Sequence, residues 1–307
     1  METIHFSIRP SPPFRLDLTV WVLQRRPNNR LDSWDGHTYR KVLSLGNQTV
    51  LAAIEQKGDF SSPELAVSLT CENPSPSIES ASRSALTRLL GTDLDLSGFY
   101  RMAAGDRDLS LLSDRFLGVK PPRYPTLFEA FANGIVCQQI SLYAGLSILN
   151  RLIERYGRPF ILSDTDFRAF PEAASIASCD FEEIRQLGFS ANKARTLVET
   201  AKIISAGELT QENLERMDNA TAFAALVNIR GIGKWTADYV LLRGLGRIDV
   251  FPGNDVGALK GLSSWLSPDR KLSRDQVADI LARWRPYAGL VYFHLLLRGL
   301  ADHGFIK

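Results

Sequence analysis

The sequence predicts an α+β protein in which a small N-terminal antiparallel sheet is followed by helices that continue to the end of the chain. Three observations predict it: short apolar runs separated by turn residues over the first 70 residues, a change to helical patterning at Ile78, and helix-start signals that recur from there on. In order, residues 15–23 (RLDLTVWVL), 39–45 (YRKVLSL) and 48–54 (QTVLAAI) are strand-like, punctuated by Asn28-Asn29, Asp35-Gly36 and Gly46-Asn47. Gly46-Asn47 between two apolar runs is a two-residue hairpin signal, and residues 65–71 read as a further strand. Pro74 and Pro76 close this part.

In the helical part, Thr126 and Glu129 have capping-box spacing ahead of an apolar run that reaches Tyr156, where Gly157 and Pro159 stop it. The polar insert Gln138-Gln139-Ile140-Ser141 divides the run in two, with Ser141 placed to cap the second helix. Asp180 and Glu183 repeat the capping-box spacing, Gly188 ends that helix, and Ser190 caps the next, which carries Lys193. The expected organisation is an α+β unit at 1–112 and a helical unit at 113–307.

Composition narrows the classes of function. With 307 residues, 45% of them apolar and 23% charged, the chain has enough material for a buried core and is neither disordered nor collagen-like. The N-terminal METIHFSIRP lacks a secretory signal pattern, and the longest uncharged run, residues 130–150, is broken by Asn133 and by the polar insert Gln138-Gln139-Ile140-Ser141, so no membrane span of ~18 apolar residues is expected. Three widely spaced cysteines, Cys71, Cys137 and Cys179, build neither a disulfide framework nor a four-cysteine zinc or iron–sulfur site, and they suit a reducing compartment. The net charge of +2 conceals an asymmetry: residues 228–307 hold 12 Lys/Arg against 7 Asp, whereas residues 1–227 hold 24 against 27 acidic groups. A basic C-terminal part is compatible with a phosphate-backbone partner and equally with a solvated helical face.

The densest motif is LVNIRGIGKWTADY, from Leu226 to Tyr239. A helix ends near Asn228, a tight turn carries Gly231 and Gly233 around Ile232, and a second helix begins near Lys234. Free N–H groups at that second start suit a phosphate; the plainer alternative is an αα-hairpin plugged by Ile232. Some twenty residues on, DVFPGNDV places Asp255 after a Pro-Gly turn, at a helix start. There it is either an N-cap alone or, in addition, an anion that stabilises developing positive charge.

Together these elements resemble the helix-hairpin-helix (HhH-GPD) DNA glycosylase superfamily, and within it the DNA-3-methyladenine glycosylase II branch. Residues 122–125 (PRYP), Phe128-Glu129, Ile135 to Ser141, Gly188 and Lys193-Ala194 are similar to that branch's core helices, and DGHTYRKVLSLG to its N-terminal sheet. The resemblance implies a two-lobed, all-helical glycosylase domain. It implies Asp255 as the catalytic carboxylate, Trp235, Tyr239 and Tyr287 as base-pocket aromatics, and DNA contacts from Gly231, Gly233, Lys234 and Thr236. Gln139 would fill the gap left by an extruded nucleotide, and the carbonyls of Val227, Ile229 and Ile232 would hold a monovalent cation. No other cofactor and no iron–sulfur cluster is implied.

Relatives that also cut the strand use a Lys nucleophile where this chain has Trp235, and a Schiff base needs an amine. Lys234 is one residue away, but that step turns a helical side chain by about 100°. The expectation is a monofunctional enzyme of base excision repair. It flips alkylated bases of the 3-methyladenine and 7-methylguanine type out of duplex DNA and hydrolyses their N-glycosidic bonds. Alternatives are a bifunctional 8-oxoguanine-type glycosylase/lyase and a non-catalytic DNA-structure binder that uses only the hairpin. The expected partner is damaged double-stranded DNA, met by a monomer without membrane contact, in the cytoplasm of a bacterium or the nucleus of a eukaryote. His5, His37, His294 and His303 show no metal-ligand spacing, and no Walker loop, GxSxG or HExxH motif occurs.

Overall fold

The computed structural model describes residues 1–163 and 165–306. Five antiparallel strands, β1 (Glu2–Ile8), β2 (Ser33–Trp34), β3 (Thr38–Leu45), β4 (Gln48–Lys57) and β5 (Glu64–Cys71), form a sheet in the order β1-β5-β4-β3-β2. The β3-β4 hairpin turns at Gly46-Asn47, with Leu45 opposite Gln48. The run at 15–23 is a helix, α1 (Leu16–Gln24), and not a strand. Its apolar residues at 16, 18, 20 and 22 alternate as in a strand because α1 is buried on both sides. Leu16, Val20 and Leu23 pack into the sheet's core, while Leu18 and Val22 enter a separate helical core. The strand β1, against β5, had no sequence signal assigned to it.

The remaining helices are α2 (Pro76–Leu90), α3 (Ser97–Ala104), α4 (Arg107–Arg115), α5 (Leu127–Cys137), α6 (Leu142–Tyr156), α7 (Ala173–Ala177), α8 (Phe181–Gln186), α9 (Ala191–Ser205), α10 (Gln211–Arg216), α11 (Asn219–Val227), α12 (Lys234–Arg243), α13 (Val256–Leu266), α14 (Arg274–Arg283) and α15 (Ala288–Asp302). Their starts follow the capping chemistry: the side chains of Thr126, Ser141, Asp180 and Ser190 each accept a first-turn backbone N–H. The part expected to be all-helical also contains a two-stranded hairpin, β6 (Pro159–Leu162) and β7 (Thr165–Arg168). It packs Phe160 and Ala169 against Val42 and Leu51 of the main sheet and so covers part of that sheet's second face.

The helices form two lobes. One core gathers α5 to α12; the other joins Leu18 and Val22 of α1, α3 and α4 to α13, α14 and α15. A boundary at 112/113 therefore does not hold. It cuts α4, whose Leu109 and Leu112 share a core with Val291 and Phe293, so residues 96–119 belong with the C-terminal helices. A buried ion cluster ties the sheet to the first lobe: Lys41 Nζ of β3 lies 3.0 Å from Asp32 Oδ1 and 3.3 Å from Glu129 Oε1 of α5. This contact explains why Glu129 does not complete the capping box with Thr126. Its carboxyl turns to Lys41, and burial pushes it up to about 6.

Candidate active site

The turn between α11 and α12 is built as its glycines require. Gly231 has φ +87°, and a Cβ there would collide with the Thr196 hydroxyl of α9. Ile229 and Ile232 are buried, so Ile232 does plug the core. The turn is nonetheless open at its other end: Gly233 is the N-cap of α12, no side chain among the described residues caps that helix, and its first-turn donors are left for an acceptor from outside. Gly233 and the exposed Lys234 both lie on a cleft of about 1190 Å³ between the lobes.

Asp255 sits on this cleft as the N-cap of α13. Its Oδ1 accepts from the Ala258 N–H at 2.8 Å, and its Oδ2 accepts from Trp235 Nε1 at 2.9 Å and from the Tyr292 hydroxyl at 3.2 Å. Asp255 is thus both the cap of α13 and part of the cleft wall. Three donors from three helices fix the carboxylate's orientation. Burial and the adjacent Asp255 raise Tyr292 well above the ordinary phenol range, so its hydroxyl stays a donor.

Trp235 and Tyr239, one turn apart on α12, face the cleft with ring centroids 5.3 Å apart and planes tilted by 31°. Tyr287 does not join them. It precedes α15 and packs edge-on against Phe99, 6.0 Å between centroids, behind the wall of the cleft. The aromatic that α15 does turn toward Asp255 is Tyr292, because the helix begins only at Ala288. Thr236 is buried, with its hydroxyl engaged by Gln138 Nε2 at 2.9 Å, so any phosphate contact there is left to its backbone N–H. Gln139 is exposed on the rim in the left-handed conformation, φ +54°.

Sequence reasoning missed Arg25, Arg243, Gln138 and Tyr292. Arg25, at the end of α1, reaches the cleft floor and donates to Asn133 Oδ1 at 2.7 Å and to the Tyr239 hydroxyl at 3.4 Å. That hydroxyl is 2.8 Å from the Tyr124 hydroxyl. Arg243 lies over the Tyr124 ring, 4.9 Å from its centroid. Its spacing of eight from Trp235 and four from Tyr239 was a readable signal. Arg25 carried none, because it arrives from 214 residues away in sequence.

A hairpin with uncapped helix donors, next to an anion and two aromatic faces in an interlobe cleft, defines a helix-hairpin-helix protein. Residues 132–286 match the model of the HhH-GPD superfamily of base excision DNA repair proteins, and the chain belongs to that superfamily. It is 27% identical over 286 residues to a DNA-3-methyladenine glycosylase of Bacillus subtilis, covering 92% of this chain and 93% of the relative. Among solved structures, a 3-methyladenine DNA glycosylase from Archaeoglobus fulgidus superposes with a TM-score of 0.82 at 26% identity, over 95% of this chain and 97% of that one. The apo 8-oxoguanine glycosylase/lyase of Clostridium acetobutylicum gives a TM-score of 0.74 at 15% identity over 96% of each chain, a likeness of fold alone. The shared fold therefore does not choose between hydrolysis and strand scission. That choice rests on side chains.

Proposed function

We propose that this chain is a monofunctional DNA glycosylase that extrudes alkylated bases of the 3-methyladenine and 7-methylguanine type from damaged duplex DNA and hydrolyses their N-glycosidic bonds, acting as a monomer. The observation that carries the proposal is the Asp255 carboxylate on the cleft wall, aimed by Trp235 Nε1 and the Tyr292 hydroxyl. Support comes from the names of the full-length relatives and from Trp235, which offers no amine for a Schiff base.

The chemistry follows from the lesion. A base inside a duplex is shielded by stacking, and rotating it out costs a few kcal/mol, least for a base that stacks or pairs badly. Alkylation at N3 of adenine or N7 of guanine leaves the base cationic, so the Trp235 and Tyr239 faces attract it, each by about 0.5–2 kcal/mol. As the C1′–N bond breaks, its electron pair leaves with the base, which departs neutral and needs no strong acid. Positive charge moves to the sugar, where Asp255 stabilises it. Water then bonds to C1′ and gives its proton to the carboxylate. The uncapped donors of α12 and Lys234 hold the backbone phosphate. A monovalent cation at the hairpin would be held by the carbonyls of Val227, Ile229 and Ile232. The Ile229 carbonyl already accepts from Ile232 N–H at 3.0 Å and has a second lone pair to offer.

The test is chromatography of bases released from DNA methylated at random. Free 3-methyladenine or 7-methylguanine is expected with the wild-type chain; the absence of both would overturn the proposal.

A further inference from the structure

We infer that Gln138 and Lys193 form a clasp that holds the loop between α5 and α6 rigidly against the DNA-gripping hairpin, and that this clasp positions the loop to enter the duplex when a base is extruded. The inference rests on the glycosylase reading and concerns how extrusion is achieved. Gln138 and Lys193 are positioning residues; neither needs to touch the reacting atoms.

Four hydrogen bonds carry it. The Gln138 side-chain amide donates to the Gly231 carbonyl at 3.2 Å and to the Thr236 hydroxyl at 2.9 Å, reaching both the hairpin turn and the first turn of α12. From the opposite side, Lys193 Nζ of α9 donates to the Val136 carbonyl at 2.8 Å and to the Gln138 carbonyl at 2.6 Å. These are carbonyls that the end of α5 leaves without helical partners. Burial lowers the Lys193 pKa from its ordinary value, as fits an amine withdrawn from solvent to serve backbone acceptors. The packing around the clasp is close. A Cβ on Gly134 would come to 2.9 Å from the Thr236 methyl, and Gly231 abuts Thr196 on α9. Three helices and the hairpin therefore converge on one residue, Gln138.

What the clasp displays is the next two residues. Gln139 is held in a left-handed conformation that a non-glycine residue adopts only where its surroundings enforce it, and it is exposed. Ile140, an apolar side chain left 38% exposed, stands beside it on the cleft, and Tyr143, 66% exposed, follows on the first turn of α6. A rigid projection of this kind fits the space that an extruded nucleotide vacates. If the loop were free, it would have to be ordered at the moment of extrusion, and that entropy would oppose the step. Linked to the hairpin, it is placed as soon as the phosphate is gripped.

The experiment compares single-turnover base release from two duplexes with the same alkylated purine. In one the lesion is fully paired and flanked; in the other it lies in a bulge and is already unstacked. Gln138→Ala and, independently, Lys193→Met are expected to lose about tenfold more on the paired lesion than on the bulged one, with Lys193→Arg restoring most of the difference. Fluorescence of a 2-aminopurine beside the lesion should show the same slowing of extrusion. Equal losses on both duplexes, or no loss on either, would overturn the clasp. Absence of base release by the wild-type chain from both duplexes would instead overturn the glycosylase reading. Should one variant not fold, the other pair of bonds still decides the question.

Discussion

Replacing Asp255 by Asn changes one atom's charge at the centre of the site. The helix start should survive it, since Asn caps as well as Asp and Oδ1 can still accept from the Ala258 N–H. The new amide then faces Trp235 Nε1 and the Tyr292 hydroxyl. The hydroxyl can turn and accept, whereas the indole is a donor only and loses its partner. That loss is worth about 1 kcal/mol, which in a chain of this size lowers Tm by about 2 °C. The catalytic effect is far larger. A sugar cation at ~4 Å from the carboxylate gains about 4 kcal/mol at an effective dielectric constant near 20, which corresponds to ~10³ in rate. Single-turnover release of 3-methyladenine should fall by about that factor, while binding to a duplex with an uncleavable abasic analogue stays within about threefold. A variant that releases base at near wild-type rate would refute the reasoning. So would one that fails because it no longer binds DNA.

Three further outcomes follow from the same contacts. Tyr292→Phe removes the longer of the two donors on Oδ2 and should lower kcat about five- to tenfold with little change in KM; a purely KM effect would place Tyr292 in binding instead. Lys41→Met leaves Asp32 and Glu129 buried without their cation and should cost about 3–5 kcal/mol in urea unfolding, against less than about 1 kcal/mol for Arg15→Ala at the exposed Arg15–Asp17 pair. The buried His294 imidazole, donating from Nδ1 to the Leu290 carbonyl, is pushed down to about 4 by burial. The unfolded chain takes up its proton near 6.5, so this contribution to stability is complete above 6.5 and is lost as the pH falls toward 4. Urea titrations at pH 7 and pH 4.5 should differ less for His294→Leu than for the wild-type chain; an unchanged difference would contradict the assignment.

Much of the site was legible because its chemistry is local. The two-glycine turn, the cap at Asp255 and the Trp235–Tyr239 face each depend on neighbours within about one helical turn, and sequence displays such spacings directly. The β3-β4 hairpin was legible for the same reason. What escaped reading depends on contacts across the fold. α1 mimics a strand because two separate cores cover it, so no polar face marks its period. The hairpin of β6 and β7 exists because the sheet offers Val42 and Leu51 to Phe160 and Ala169, a partnership invisible from residues 159–168 alone. Tyr287 and Tyr292 are both tyrosines near the start of one helix, and only the helix's true first residue decides which of them faces Asp255. Arg25 shows the same limit at its greatest: the N-terminal part of the chain contributes to the floor of a cleft otherwise built from residues beyond 136.

The most direct test incubates excess protein with a duplex that bears a single alkylated purine, in the presence and absence of borohydride, and follows both the free base and the strand. The account predicts that the base is released, that the strand stays intact until alkali is added, and that no protein becomes linked to DNA. A borohydride-trapped adduct, or strand scission that keeps pace with base release, would contradict it.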